Sequence, residues 1–329
     1  MTAPSPDLPG FEDVLQAAAR IAPHIHATPV LRSHSLDAMA GCELHFKAEP
    51  LQRAGAFKFR GACNAVWALE DDVASGGVVT HSSGNHGAAL ALAARTRGIA
   101  CHVVVPEGAV AAKLAAIRAY GATLHPCAPT IAAREARCAE VQAETGATLV
   151  HPYTDPRVIA GQGTAALELL AAVPALDVLV APVGGGGLIG GTAITASARA
   201  PGCRVIGAEP AGAAETFASL QRGERVTDFT PDTICDGLRG TLGAPNFALL
   251  QRHGVQVLTA TDAQVVAAMR LLWQRTKVVA EPSSAVALAI VLAHPAAFAG
   301  QRVGIILSGG NVDLDALPTL FAQRAEEAP

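Results

Sequence analysis

From about residue 76 the chain repeats one pattern, a short β-branched run followed by an Ala-rich segment of helical period. GGVVTHSS leads into GNHGAALALAART, ACHVVVP into AVAAKLAAIRAYG, and ATLHPC into TIAAREARCAEVQAETG. LDVLVAPV then runs through a glycine loop into LIGGTAITASARA, and CRVIGAE and QRVGIILSGGN follow. Strands that alternate with helices pair in parallel through right-handed crossovers, so the fold class is α/β, with open, mostly parallel sheets flanked by helices. At 329 residues, half of them apolar, the chain fits two lobes. No composition break marks a boundary. The block from about 76 to 150 reads as four compact strand and helix units forming a smaller lobe inside a larger one. That predicts a discontinuous large domain (1–68 and 154–329) and a small domain (69–153), with the ligand in the cleft between them.

Composition narrows the partners. The net charge is −4 with Lys and Arg scattered, which argues against nucleic acid and membrane surfaces and for a small-molecule substrate. Seven cysteines stand singly, without a CxxC pair, so neither a disulfide framework nor a zinc knuckle is expected. The N-terminal MTAPSPDLPGFEDVLQ lacks a basic or apolar targeting region, and a cytoplasmic location is expected. The eleven histidines show no metal-ligand spacing, and most read as surface or core residues.

Four motifs carry chemistry. VLVAPVGGGGLIGGTAITA (178–196) is a buried strand, four glycines and a helix start, suited to holding a phosphate on main-chain N–H groups. The same segment satisfies GxGxxG through Gly185, Gly187 and Gly190, with Glu209 about twenty residues on, so an NAD-dependent oxidoreductase is a rival on this segment alone. GAFKFRGACN (55–64) sets Lys58 between two phenylalanines, where desolvation lowers an amine's pKa and makes it a nucleophile and base. THSSGNHGAALAL (80–92) brings hydroxyls and N–H groups to a helix N-terminus, suited to a carboxylate. IILSGGNVD (305–313) delivers Ser308 at a strand's carboxyl end, where a hydroxyl can meet a ring nitrogen. A phosphate loop, an apolar lysine, a carboxylate nest and a polar cap together are what a pyridoxal phosphate enzyme needs.

FKFRGA, SSGNHG, VGGGGL, EPSSA and LSGGN, in this order, resemble the fold type II pyridoxal phosphate enzymes (tryptophan synthase β-like), in the serine racemase and serine/threonine dehydratase branch, from residue 26 to 313. The resemblance implies that Lys58 carries the cofactor aldehyde as a Schiff base and that Phe57 lies against its ring. It also implies that Asn85 bonds the ring hydroxyl, that Gly184, Gly185, Gly186, Gly187 and Leu188 hold the phosphate, and that Ser308 faces the pyridine nitrogen. The substrate carboxylate is expected on Ser82, Ser83, Asn85, His86 and Gly87. Lys58 would then remove the Cα proton, and loss of the β-hydroxyl would give a 2-oxo acid and ammonia.

Ser83 resembles the residue that serine racemases and 3-hydroxyaspartate dehydratases carry on the face opposite the lysine, which adds serine racemase activity to the expectation. GAEPAGAAET (207–216) resembles the family's divalent-cation site, with Glu209, the Ala213 carbonyl and Glu215 as ligands for Mg or Ca, and Glu215 standing where the racemases have Asp. Ala56 replaces a common serine. Ala88 replaces a common Gln, which speaks against a nucleotide effector. Arg134 is expected to reach the substrate's distal group, and Tyr153, Arg239 and Thr241 to line the pocket. The resemblance implies a homodimer. The expected activity is deamination of L-serine and L-threonine with added racemase activity, and the first alternative is 3-hydroxyaspartate dehydration with Arg134 or Arg239 pairing the second carboxylate.

Overall fold

The structure, a computed structural model, describes residues 8–109 and 111–322. Helices α1 (Phe11–Ile21) and α2 (His34–Ala40) flank strand β1 (Val30–Leu31), and β2 (Glu43–Ala48) leads through two 3₁₀ turns to α3 (Lys58–Trp67) and the short α4 (Asp71–Ala74). There follow β3 (Val78–His81), α5 (Asn85–Arg97), β4 (Cys101–Pro106), α6 (Ala111–Ala119), β5 (Thr123–Cys127), α7 (Ile131–Thr145) and β6 (Thr148–Leu149). The remainder runs α8 (Pro156–Ala172), β7 (Val178–Pro182), α9 (Gly187–Arg199), β8 (Arg204–Pro210), α10 (Glu215–Arg222) and α11 (Ala244–Arg252). It ends with β9 (Gln256–Ala260), α12 (Asp262–Thr276), α13 (Pro282–Ala293) and β10 (Arg302–Leu307).

The strands form two sheets, ordered β5-β4-β3-β6 and β1-β2-β10-β7-β8-β9, and every pairing is parallel except that of β1 with β2. The block from 76 to 150 supplies the whole smaller sheet, but it contains three strand and helix units rather than four, because β6 has two residues and the next helix, α8, packs against α9 and α3. In the larger sheet β10, last in the chain, inserts between β2 and β7. The turn after β10 is therefore neighbour to the glycine loop after β7, and both lie at carboxyl ends, where open α/β sheets bind ligands. α13 is buried from Pro282 to Val291 because it lies across β7, β8, β9 and β10 and against α12, so its sequence is apolar all round. No helix among the described residues is long and apolar enough to cross a membrane.

Two features place α3, the helix that begins at Lys58. One is close backbone approach: a Cβ on Gly161 of α8 would lie 2.7 Å from the Gly61 Cα. The other is a buried ionic cluster. Arg60, fully buried, donates from Nε and Nη2 to Glu49 (both 2.8 Å) and from Nη1 and Nη2 to Glu168 (2.6 and 2.8 Å). Lys47 donates to Glu168 (2.5 Å) and to the Thr28 carbonyl (2.6 Å), while the Thr28 hydroxyl donates to Glu49 (2.6 Å). Two cations and two carboxylates balance, and α3 is tied to the end of β2 and to α8. Desolvating such charges is costly, and removing one partner strands the others, at a cost of about 3–5 kcal/mol.

Glu49→Ala is therefore expected to lower the unfolding free energy by about 3–5 kcal/mol in urea titration. Arg137→Ala, which breaks exposed pairs with Glu140 and Glu144, should cost under about 1 kcal/mol. Equal losses would show that the buried cluster does not anchor α3.

Candidate active site

The segment before α3 is fastened to the far end of the chain. Ala56 forms an antiparallel bridge with Gly309, and the Phe57 N–H donates to the Ser308 carbonyl (2.9 Å). Lys58 and Ser308, 250 positions apart, are thereby held side by side. The Lys58 amine donates to the Pro152 carbonyl (3.0 Å) and lies 5.1 Å from the Phe57 ring centre. No carboxylate among the described residues pairs with it. Burial alone lowers the amine to about 8, so a sizeable neutral fraction exists near neutrality, as a nucleophile or base requires.

Two imidazoles, His86 and His151, feel the charge of this amine, and a third, His81, packs on His151. His151 packs edge-on to His81 (5.0 Å between ring centres) and to Tyr153 (4.6 Å). Its Nδ1 accepts the Thr154 N–H (3.2 Å) and, more weakly, the Tyr153 N–H (3.4 Å), which leaves the proton on Nε2. Burial, then the charges of His81 and Lys58, push His151 down to about 4. His86 is buried with Nε2 near the Val150 carbonyl (3.3 Å), and burial followed by the Lys58 charge holds it well below the ordinary range. Burial lowers His81 as well. Of the three, the sequence marks His86 through SSGNHG and leaves His81 and His151 among the histidines read as surface or core residues. Positions 81, 86 and 151 have no local spacing, and only the fold gathers them.

Two anion-binding turns face this group. After β7, Gly184 and Gly186 adopt φ +50° and +91°, and the first intrahelical bond of α9 is the Gly190 N–H to the Gly186 carbonyl. The N–H groups of Gly187, Leu188 and Ile189 are thus the ones a helix start leaves free. A Cβ on Gly185 would fall 2.3 Å from the Tyr153 ring, so Tyr153 walls the loop. Asn246, fully buried, ties the two by donating to the carbonyls of Tyr153 (2.8 Å) and Gly185 (2.6 Å). It is a site residue with no sequence signal of its own. After β3, the first helical bond of α5 is Ala88 N–H to Gly84 carbonyl, leaving the N–H groups of Asn85, His86 and Gly87 at the turn that carries Ser82 and Ser83. With the His86 ring turned to Val150, its main-chain N–H is what it offers there.

Asn85 joins this turn to the other motifs, donating to Glu281 (2.8 Å) and accepting from Asn311 (2.9 Å). Arg134, on the first turns of α7, exerts its charge on His81 and Tyr153 and keeps a buried Nε without a partner. Arg239 donates from Nε and Nη2 to the Thr233 carbonyl (3.1 and 2.5 Å), which anchors its own loop.

Glu209, Ala213 and Glu215 form a second cluster, where β8 meets α10. Glu209 accepts the N–H groups of Thr216 (3.2 Å) and Phe217 (2.8 Å). Both oxygens are thereby turned toward the start of α10, and each keeps acceptor capacity beyond the one N–H it receives. Glu215 accepts the Leu242 N–H (3.1 Å) through Oε1, and its buried Oε2 has no partner. Burial raises both carboxyls, to about 7 and about 8, and the Glu209 charge adds to the rise at Glu215. No group of three or more His, Cys, Asp or Glu side chains suited to a metal occurs among the described residues, so an ion here needs carbonyl or water oxygens beside these two carboxylates.

The chain matches a protein-family profile described as pyridoxal-phosphate dependent enzyme over residues 21–309. It is 50% identical over 311 residues to the β-hydroxyaspartate dehydratase of Paracoccus denitrificans, covering 94% of this chain and 99% of that one. It is 46% identical to the serine racemase of Dictyostelium discoideum, with 94% and 97% covered. The structure of maize serine racemase superimposes with a TM-score of 0.91 at 43% identity, covering 97% of this chain and 98% of that one. These similarities overturn the dinucleotide rival.

The depressed His151 makes a pH prediction. The folded state binds its proton less readily than the unfolded chain, so stability is lost as pH falls from about 6.5 to about 4. His151→Gln is expected to flatten the stability profile across that window by on the order of 2 kcal/mol, read from urea midpoints. An unchanged slope would show that His151 is not held neutral.

Proposed function

Because the chain belongs to the family of pyridoxal-phosphate dependent enzymes, we propose that it is an ammonia-lyase for small β-hydroxy amino acids, converting substrates such as L-serine and L-threonine to a 2-oxo acid and ammonia. The observation that carries this is the desolvated Lys58 amine, free of any carboxylate pair and fastened beside Ser308, next to the walled glycine loop. The residues fit the cofactor: a phosphate suits the loop Gly184–Leu188, whose Gly187 and Leu188 N–H groups are free, and any Cβ on Gly185 would displace Tyr153. When bound, pyridoxal phosphate withdraws electrons from Cα and acidifies its proton. Lys58 Nζ takes that proton as general base. Ser82, Ser83 and the N–H groups of Asn85, His86 and Gly87 hold the α-carboxylate. Ser308, a neutral hydroxyl, stabilises less charge at the ring nitrogen than a carboxylate would, which favours loss of the β-hydroxyl over transamination. Ser83 supplies a second proton-transfer group, and with it racemisation.

A second substrate class has its own support. Arg134, with its buried unpartnered Nε beside His81 and Tyr153, suits a second carboxylate and so 3-hydroxyaspartate, the chemistry named in the 50% identical relative. Glu209 and Glu215 fit a divalent cation, because the orphaned Glu215 Oε2 and two mutually repelling buried carboxyls are what Mg or Ca would relieve. The site backs the glycine loop: Glu215 holds Leu242, whose side chain would meet a Cβ on Gly186 at 2.5 Å. A homodimer completes the proposal.

A substrate panel of L-Ser, D-Ser, L-Thr and the 3-hydroxyaspartate isomers, followed for ammonia and chirality, tests the assignment. Purified protein should absorb near about 410–420 nm, and Lys58→Ala should abolish both band and ammonia release. Arg134→Ala should raise KM for 3-hydroxyaspartate by roughly 10- to 100-fold and change serine far less. Equal effects would remove Arg134 from the recognition of a second carboxylate. Chelation should lower Tm and weaken cofactor retention, with Mg restoring both, and no change in either would refute the cation site.

A further inference from the structure

Glu281 takes no part in the chemistry above, yet it touches two of its motifs. It is 4% exposed and precedes α13, and its N–H donates to the Gly309 carbonyl (3.0 Å), which sets its carboxyl beside the turn that carries Ser308. Oε1 accepts the Asn85 Nδ2 (2.8 Å), and the Asn311 main-chain N–H bonds the same carboxyl. The Asn311 side chain donates to Asn85 Oδ1 (2.9 Å) and to the Ala54 carbonyl (2.8 Å). There is no slack in this arrangement. A Cβ on Gly309 would lie 2.9 Å from Glu281 Oε1, and one on Gly55 would lie 2.4 Å from Asn311 Oδ1. Burial, then the charge of Asp236, raises the Glu281 carboxyl to about 8, while Lys113, the ion-pair partner of Asp236, and the donors from Asn85 and Asn311 pull it back.

A side-chain amide free to turn about its last bond exchanges its NH₂ for its oxygen. Asn85 has no such freedom, because its nitrogen must face a carboxyl acceptor and its oxygen an amide donor. One N–H of Asn85 remains unspoken for. We propose that Glu281 is a positioning residue which, with Asn311, clamps Asn85 in one orientation so that its remaining N–H is presented to the ring oxygen of the cofactor. The clamp rests on the pyridoxal phosphate assignment above. It links the turn after β3 to the turn after β10, and so ties the smaller sheet to the larger at the reacting centre.

A double-mutant cycle on cofactor binding tests it. The measured quantities are the cofactor dissociation constant and the position of the visible band in holoenzyme of the wild type, Glu281→Ala, Asn85→Ala, the double variant and Glu281→Gln. Glu281→Ala and Asn85→Ala are each expected to weaken cofactor binding on the order of tenfold and to shift the band alike. The double variant should be no worse than either, because Glu281 acts through Asn85. Glu281→Gln, which keeps an acceptor at Oε1, should recover most of the loss. Additive losses, an unshifted band in Glu281→Ala, or a Gln variant as weak as Ala would overturn the clamp. If Glu281→Ala fails to fold, Asn311→Ala paired with Asn85→Ala runs the same cycle with the same outcomes. Wild-type protein without a visible band would sink the cofactor assignment and the clamp together, whereas a normal wild-type band with additive losses sinks the clamp alone.

Discussion

The buried guanidinium of Arg60 holds the reactive end of this molecule in place. Two residues before it stands Lys58, on the same first turn of α3, and the hydrogen bonds of Arg60 to Glu49 and Glu168 fix that turn against the end of β2 and the flank of α8. The charges are confined to one balanced cluster. On the other side of the turn, Lys58 meets only carbonyl, aromatic and imidazole groups. One helix start thus separates a fully compensated cation from an uncompensated amine, and the uncompensated amine is the one whose proton is cheap to lose.

The neutral surroundings extend that logic. A charged histidine beside Lys58 would depress the amine further, and a carboxylate would pair it and raise it. Burial keeps charge off His86 and His151, and two N–H donors fix the His151 tautomer. The main-chain N–H groups at the two helix starts offer partial positive charge to an anion and carry no titratable proton. Fixed dipoles of this kind attract anions without a titratable proton of their own.

Much of this was legible in the chain. FKFRGA, SSGNHG, VGGGGL and LSGGN announce themselves because each is a local turn whose geometry needs glycine or a small polar residue, and the alternation of strands and helices reflects a period that sequence displays directly. EPSSA was visible as a motif, but the use of Glu281 was not, since its partners lie at 85 and 311. Asn246 and His151 had no local signature. The bonds of Arg239 Nε and Nη2 to the Thr233 carbonyl likewise follow from the path of its loop and have no local signature.

The sequence by itself determined the fold class and the residues that sit on turns, because those follow from hydrophobic period and local backbone requirements, and its ordered motifs carried the resemblance that implied the cofactor. Tertiary structure alone decided which distant groups meet: that β10 enters between β2 and β7, that His86 and His151 come to one amine, and that Glu281 and Asn311 grip Asn85. Such meetings depend on sheet order and on the close approach of helices at Gly61 and Gly161. The free energy of these contacts comes from removing several groups from water at once, and no single stretch of sequence carries it.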